Sequence, residues 1–171
     1  MSKQTSALTT AWLALVLIIL DQLTKYWVNA ALVFGEPVAV MPHLNFTLVY
    51  NQGAAFSFLA DMGGWQRWGF SALAIVVSAV LVYWLKTLPK RWTMEVVGIN
   101  LVLGGALGNV IDRLIEGHVT DFIDFYIGSW HYATFNVADI AISAGAFCLI
   151  VSEFFLKPKK ASTLDSASES D

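Results

Sequence analysis

From Trp68 to Leu85 the chain carries no charged residue and almost nothing polar. A run of this length fits the hydrocarbon layer of a bilayer, ~30 Å thick at ~1.5 Å per helical residue. In lipid such a segment must satisfy its own backbone hydrogen bonds, so it has to be a helix. Once one segment spans, the rest of the chain is read against it. Hydrophobic residues make up 57% of the 171 and charged ones 13%; the latter is about half the share of a soluble domain. Seven tryptophans suit a chain with two membrane interfaces.

Three further segments follow the same logic. Ala11–Leu20 has the length of a signal-peptide core, but Asp21-Gln22-Leu23-Thr24-Lys25 follows it instead of a small-residue cleavage site. The apolar pattern resumes as far as Val33, which predicts one uncleaved helix with Asp21 and Lys25 a turn apart on one face. The expected spans are about 8–33, 68–85, 92–114 and 134–156. They form a single membrane domain over 1–160, followed by a disordered Ser/Asp/Glu tail at 161–171. In the first excursion, about 34–67, Pro37 and Pro42 break helix and Leu44–Tyr50 alternates as a strand. Asn51-Gln52-Gly53 signals a turn, and Ala54–Leu59 fits either a short strand or a turn or two of helix. A second excursion covers about 115–133. Gly104 and Gly108 make a small-xxx-small step that admits a neighbouring helix.

Basic residues orient the bundle. Lys3, Lys86, Lys90, Arg91, Lys157, Lys159 and Lys160 fall on one side, and only Arg67 falls on the other. The positive-inside rule puts both termini in the cytoplasm and both excursions outside. Asp21 and Lys25, then Asn109, Asp112 and Arg113, then Asn136 and Asp139 all reach one layer beneath the outer surface. Asp121 sits in the excursion joining the last two groups. Facing lipid, each charge would cost about 2.5–3.5 kcal/mol at mid-depth, so these groups face one another.

Asp21 with Lys25 reads equally as a structural ion pair or as part of a site, and Asp112 with Arg113 reads as a positioning network. Arg113 stays charged and suits a clamp better than an acid. Asn109 and Asn136 donate and accept, which fits a network or a grip on a substrate backbone. Asp121 and Asp139 have no spare cation in sequence. Two carboxylates ~4 Å apart at an effective dielectric of ~20 repel by about 4 kcal/mol, so one keeps its proton. Such a pair supplies a base to activate water and an acid to polarise a carbonyl, as in an aspartic protease. By spacing alone Asp124 competes with Asp121.

Other chemistries fit less well. A net charge of −3 with no basic stripe argues against nucleic acid. Cys148 is the only cysteine, and His43, His118 and His131 lack metal-ligand spacing, so no metal and no cofactor is expected. Ser57, Ser71, Ser78 and Ser143 have no evident His or Lys partner. The main rival is a small ion- or proton-coupled transporter, which would want polar groups at several depths, whereas the cytoplasmic halves are nearly free of them. A non-catalytic assembly subunit fits facing carboxylates poorly.

Five boxes occur in order: Asp21-Gln22-x-Thr24-Lys25, Asn51-x-Gly53-Ala54-Ala55-Phe56-Ser57, Gly104-Gly105-Ala106-Leu107-Gly108-Asn109-x-x-Asp112-Arg113, Val119-x-Asp121-Phe122 and Phe135-Asn136-x-Ala138-Asp139. Together they resemble the lipoprotein signal peptidases (signal peptidase II), from about Ala11 to Leu156. The resemblance implies a mainly α membrane protein, a four-transmembrane-helix bundle with a small extracytoplasmic β-cradle, matching the irregular 36–64 stretch, and a short lid helix. It implies a bacterial inner-membrane aspartic endopeptidase that cuts prolipoprotein signal peptides before a diacylglyceryl-modified cysteine. Its catalytic aspartates map to Asp121 and Asp139. Asp21, Lys25, Asn51, Gly105, Asn109, Asp112, Arg113 and Asn136 match positions that line or brace the site. Inhibition by the cyclic peptide globomycin and a monomeric enzyme are expected. The substrate's lipid would lie between helices, with Gly104 and Gly108 leaving room.

Overall fold

The computed structural model describes residues 5–53 and 65–156. Four of its helices are long and apolar enough to cross a membrane. They are α1 (Trp12–Ala31), entered through a 3₁₀ turn at Ala7–Thr10, α2 (Trp65–Thr87), α3 (Met94–Ile115) and α4 (Val137–Val151), which continues as a π turn over Ser152–Leu156. The proposed lid region and the tail from 161 onward lie outside the described residues. The ends differ from the sequence expectation by a few residues, where capping rather than hydropathy decides. Thr93, for example, caps α3 by accepting from the Val96 amide at 3.2 Å, so the helix starts after Trp92.

The third helix is the centre. Of its most apolar window 61% is buried inside the protein, against 17% for α4 and 22% for α1 and α2. The outer three expose Leu15, Leu23, Leu73, Val76, Val80, Phe147 and Ile150, an apolar surface that suits lipid. Close approach explains why α3 can hold the middle. A Cβ on Gly104 would sit 2.9 Å from the Ala14 carbonyl, and one on Gly108 2.6 Å from an Asp21 carboxylate oxygen. These two glycines therefore let α1 in, as the small-xxx-small step predicts. They do not leave room for lipid, because α1 already fills that space.

Both excursions build one antiparallel sheet in the order β1 (Pro37–Met41), β2 (Leu44–Asn51), β3 (Val119–Ile127), β4 (Trp130–His131). The cradle is thus not confined to the first excursion: half its strands come from the second, whose branched and aromatic run Val119–Ile127 is a strand composition. Since β2 pairs with β3, the connections α1–α2 and α3–α4 leave the bundle at the same end. A register shift between Phe46 and Val49 bulges β2, leaving Val49 opposite Asp121 and Asn51 opposite Val119. Val28, Leu48 and Phe122 seal the sheet onto the helices.

Asn100 departs from the single outer layer. Fully buried in α3, it donates to Thr10 Oγ1 at 2.9 Å and to the Val96 carbonyl at 2.8 Å, near the other end of the bundle. It fastens the 3₁₀ turn to α3.

Candidate active site

The site is assembled at the head of α4. Asn136 is the N-cap: its Oδ1 accepts from the Asp139 amide at 3.0 Å, while Asp139 Oδ2 accepts from the Asn136 amide at 3.2 Å. This reciprocal capping box fixes Asp139 at the positive end of a helix, where a negative charge is favoured. The Asn136 amide group then reaches across to β3 and donates to Asp121 Oδ1 at 2.7 Å. The other Asp121 oxygen accepts from Asn51 Nδ2 at 3.0 Å. One asparagine therefore touches both acids, and a second, from β2, completes Asp121.

Strand alternation separates Asp121 from Asp124. Three residues apart on β3, they face opposite ways. Asp124 receives Asn45 Nδ2 at 3.3 Å and Thr47 Oγ1 at 3.2 Å, and its Oδ1 lies 2.8 Å from His131 Nδ1. Burial pushes this carboxyl up, but those hydrogen bonds outweigh it and hold Asp124 below the ordinary carboxylate range. Asp121 goes the other way. Burial raises it to about 6, helped by the neighbouring charge of Asp139 and opposed by the Asn51 and Asn136 hydrogen bonds. Among the described residues neither Asp121 nor Asp139 has an ion-pair partner.

Behind the acids lies a charged layer. Lys25 Nζ is 2.8 Å from Asp21 Oδ2, 2.7 Å from Asp112 Oδ2 and 2.9 Å from Asn109 Oδ1, which uses all three of its donors. Asn109 passes the constraint forward, donating to Asp139 Oδ1 at 2.9 Å. Asp21 Oδ1 accepts from the Ala138 amide at 3.0 Å, so α1 also grips the first turn of α4. Gly105 lets α3 come equally close to that turn, because a Cβ there would collide with the Ala138 carbonyl. Gln22 and Thr120, not singled out from sequence, complete the layer: Gln22 Nε2 donates to Asp112 Oδ1 at 2.7 Å and the Thr120 amide to Asp112 Oδ2 at 3.3 Å.

The expected Asp112–Arg113 pairing is not formed. Asp112 turns to Lys25, since adjacent helical residues point in different directions. Arg113 instead lies with its Cζ 5.6 Å from the Phe70 ring centre, and its buried Nε has no hydrogen-bond partner. It lines an apolar cavity of about 380 Å³ between α2, α3 and α4, walled by Phe70, Leu73, Val77, Val102 and Ile142 and reaching Asp139. A second, open cavity of about 600 Å³ contains Asn51, Asp121 and Asp139 together with Tyr132–Phe135, Ser143 and Ala144. Ser143 follows Asp139 at i+4, the helical spacing by which the sequence marks it as a neighbour.

Fold and site together define a polytopic membrane peptidase of the aspartic kind. Residues 13–155 match the family described as Signal peptidase (SPase) II. The chain is 68% identical over 165 residues to a lipoprotein signal peptidase of Hydrogenovibrio crunogenus, covering 96% of each. It is 53% identical over 149 residues to one of Coxiella burnetii (strain Dugway 5J108-111), covering 87% of this chain and 91% of the other. A bacterial membrane enzyme solved by the in meso method at 2.3 Å resolution superposes with a TM-score of 0.74 at 33% identity, covering 90% of this chain and 94% of that one. The chain belongs to the signal peptidase II family. A transporter role is not favoured.

Proposed function

We propose that this chain removes signal peptides from bacterial prolipoproteins, cutting before the diacylglyceryl-modified cysteine with Asp121 and Asp139 as the catalytic pair. The observation that carries this reading is that both carboxylates enter one open cavity, joined through Asn136 and free of any cation among the described residues. Asp121, raised to about 6 by burial, serves as the acid of the pair, and Asp139, at the head of α4, as the base. Asp139 takes a proton from water as the oxygen attacks the scissile carbonyl carbon, and Asp121 gives its proton to the carbonyl oxygen. Collapse of the tetrahedral species breaks the C–N bond as Asp139 passes the proton it took from water to the leaving amine and Asp121 takes back a proton from the hydroxyl oxygen. Asn109 and Asn136 hold the acids, and the Lys25 layer braces Asn109.

The apolar cavity takes the role first given to Gly104 and Gly108. It suits the hydrocarbon part of the substrate, with Arg113 at its polar end. The basic side of the bundle faces the cytoplasm, which puts the sheet and site at the periplasmic face of the inner membrane. The enzyme acts as a monomer and is blocked by globomycin-type peptides. The test is cleavage of a diacylglyceryl-modified peptide by purified protein in lipid. Asp121→Asn and Asp139→Asn should each lower the rate roughly 10²–10⁴-fold while the protein still inserts. Full activity in either variant removes that residue from the chemistry.

A further inference from the structure

We propose that Asp124 and His131 form a positioning clamp that sets the outer wall of the catalytic cavity and thereby the affinity for substrate. This rests on reading that cavity as the one that takes the peptide. The wall is the stretch from Tyr132 to Phe135. At its far end Phe135 is tied both ways to Ile123, at 3.1 and 2.8 Å, and at its near end the Tyr132 amide donates to the Phe125 carbonyl at 2.8 Å. Ala133 between them is exposed, and β4, which leads into the wall, is only two residues long.

A two-residue strand is a weak anchor, so side chains have to supplement it. Asp124 is held from β2 by Asn45 and Thr47 and is itself buried, which makes it a fixed point on the sheet. His131 reaches that point from β4 at 2.8 Å. Aromatic contacts carry the constraint onward: Trp130 packs edge-on against Tyr132 at 6.1 Å, and Tyr132 against Phe135 at 6.3 Å. The groups facing His131 are Asp124, the Tyr126 ring stacked at 5.4 Å, and His43 on the far side of Tyr126, 6.0 Å from that ring. Asp124 is the only carboxylate among them. A ring N–H donated to this buried carboxylate is a charge-assisted hydrogen bond, stronger than a neutral one, and it ties β4 to the fixed point on the sheet.

The test compares wild type, His131→Phe, His131→Gln and Asp121→Asn in lipid, measuring kcat and KM on a diacylglyceryl-modified peptide. The His131 side chain is 52% exposed, so its variants fold. His131→Phe should raise KM about five-fold with kcat nearly unchanged, the size of one partly exposed charge-assisted hydrogen bond. His131→Gln keeps a side-chain donor and should recover most of the KM lost in His131→Phe, a rescue that ring packing alone would not produce. A wild-type KM in His131→Phe, or a KM in His131→Gln no better than in His131→Phe, overturns the clamp. If Asp121→Asn is inactive while both His131 variants behave as wild type, only the clamp fails. If Asp121→Asn cleaves, the reading of the cavity fails with it.

Discussion

Each oxygen of Asp121 accepts from an amide whose orientation is already fixed. Asn51 Oδ1 accepts from the Gly53 amide at 2.8 Å, and Asn136 Oδ1 from the Asp139 amide at 3.0 Å, so both side chains must turn their NH₂ groups toward Asp121. The pair therefore distinguishes a carboxyl from an amide at position 121. An asparagine there would set a donor against a donor, and Asp121→Asn should lose some stability as well as activity. The same bonds tune the acid. As the proposed acid Asp121 has to carry its proton to act, so activity should be present below about 6 and should fall as the pH rises through that value in the free enzyme. The Asn51 bond lowers the value, so Asn51→Ala should move the descending limb of kcat/KM to higher pH while lowering its plateau. A limb that stays put in Asn51→Ala would mean Asp121 is not the group that titrates.

At the scale of elements, the site is a meeting of a strand, a helix head and two helix faces. The Phe135-Asn136-x-Ala138-Asp139 box is a capping box, and that much is legible in sequence because an Asn with an acid three residues on marks a helix start. The choice of Asp121 over Asp124 was also within reach, since period two alone puts them on opposite faces, but it required knowing that 119–127 is a strand. Arg113 shows what sequence adjacency cannot give: consecutive side chains on a helix point in different directions, so Asp112 turns to Lys25 and Arg113 toward Phe70. Lys25 carries the clearest consequence. It is 3% exposed between Asp21 at 1% and Asp112 at 5%. Lys25→Met would strand two buried carboxylates and should destabilise the protein by roughly 3–5 kcal/mol, with Asp112→Asn in the same chain restoring part of the loss. Thermal unfolding in detergent measures this. Unchanged stability with lost activity would make Lys25 a chemical participant and not a brace.

For the whole molecule, one sheet built from two separate connections fixes which loops share a side, and the charge asymmetry predicts which side that is. The α2–α3 loop holds Lys90 and Arg91, while Trp130 and Tyr132 stand exposed at the sheet end. No single helix decides this orientation. The bulk of the basic charge must stay on the side where translocation is not required, and the β2–β3 pairing carries both excursions to the other side together. The consequence is measurable in cells. With Cys148 replaced by Ala, a lone cysteine in place of Trp130 should react with a membrane-impermeant maleimide added from the periplasmic side. One in place of Lys90 should react only after the inner membrane is permeabilised. Both positions are exposed, so accessibility within the fold does not confound the comparison. The reverse pattern would turn the molecule over and put its carboxylate pair on the cytoplasmic side, away from any substrate delivered to the outer leaflet. Equal labelling from both sides would mean that the charge asymmetry does not set the topology.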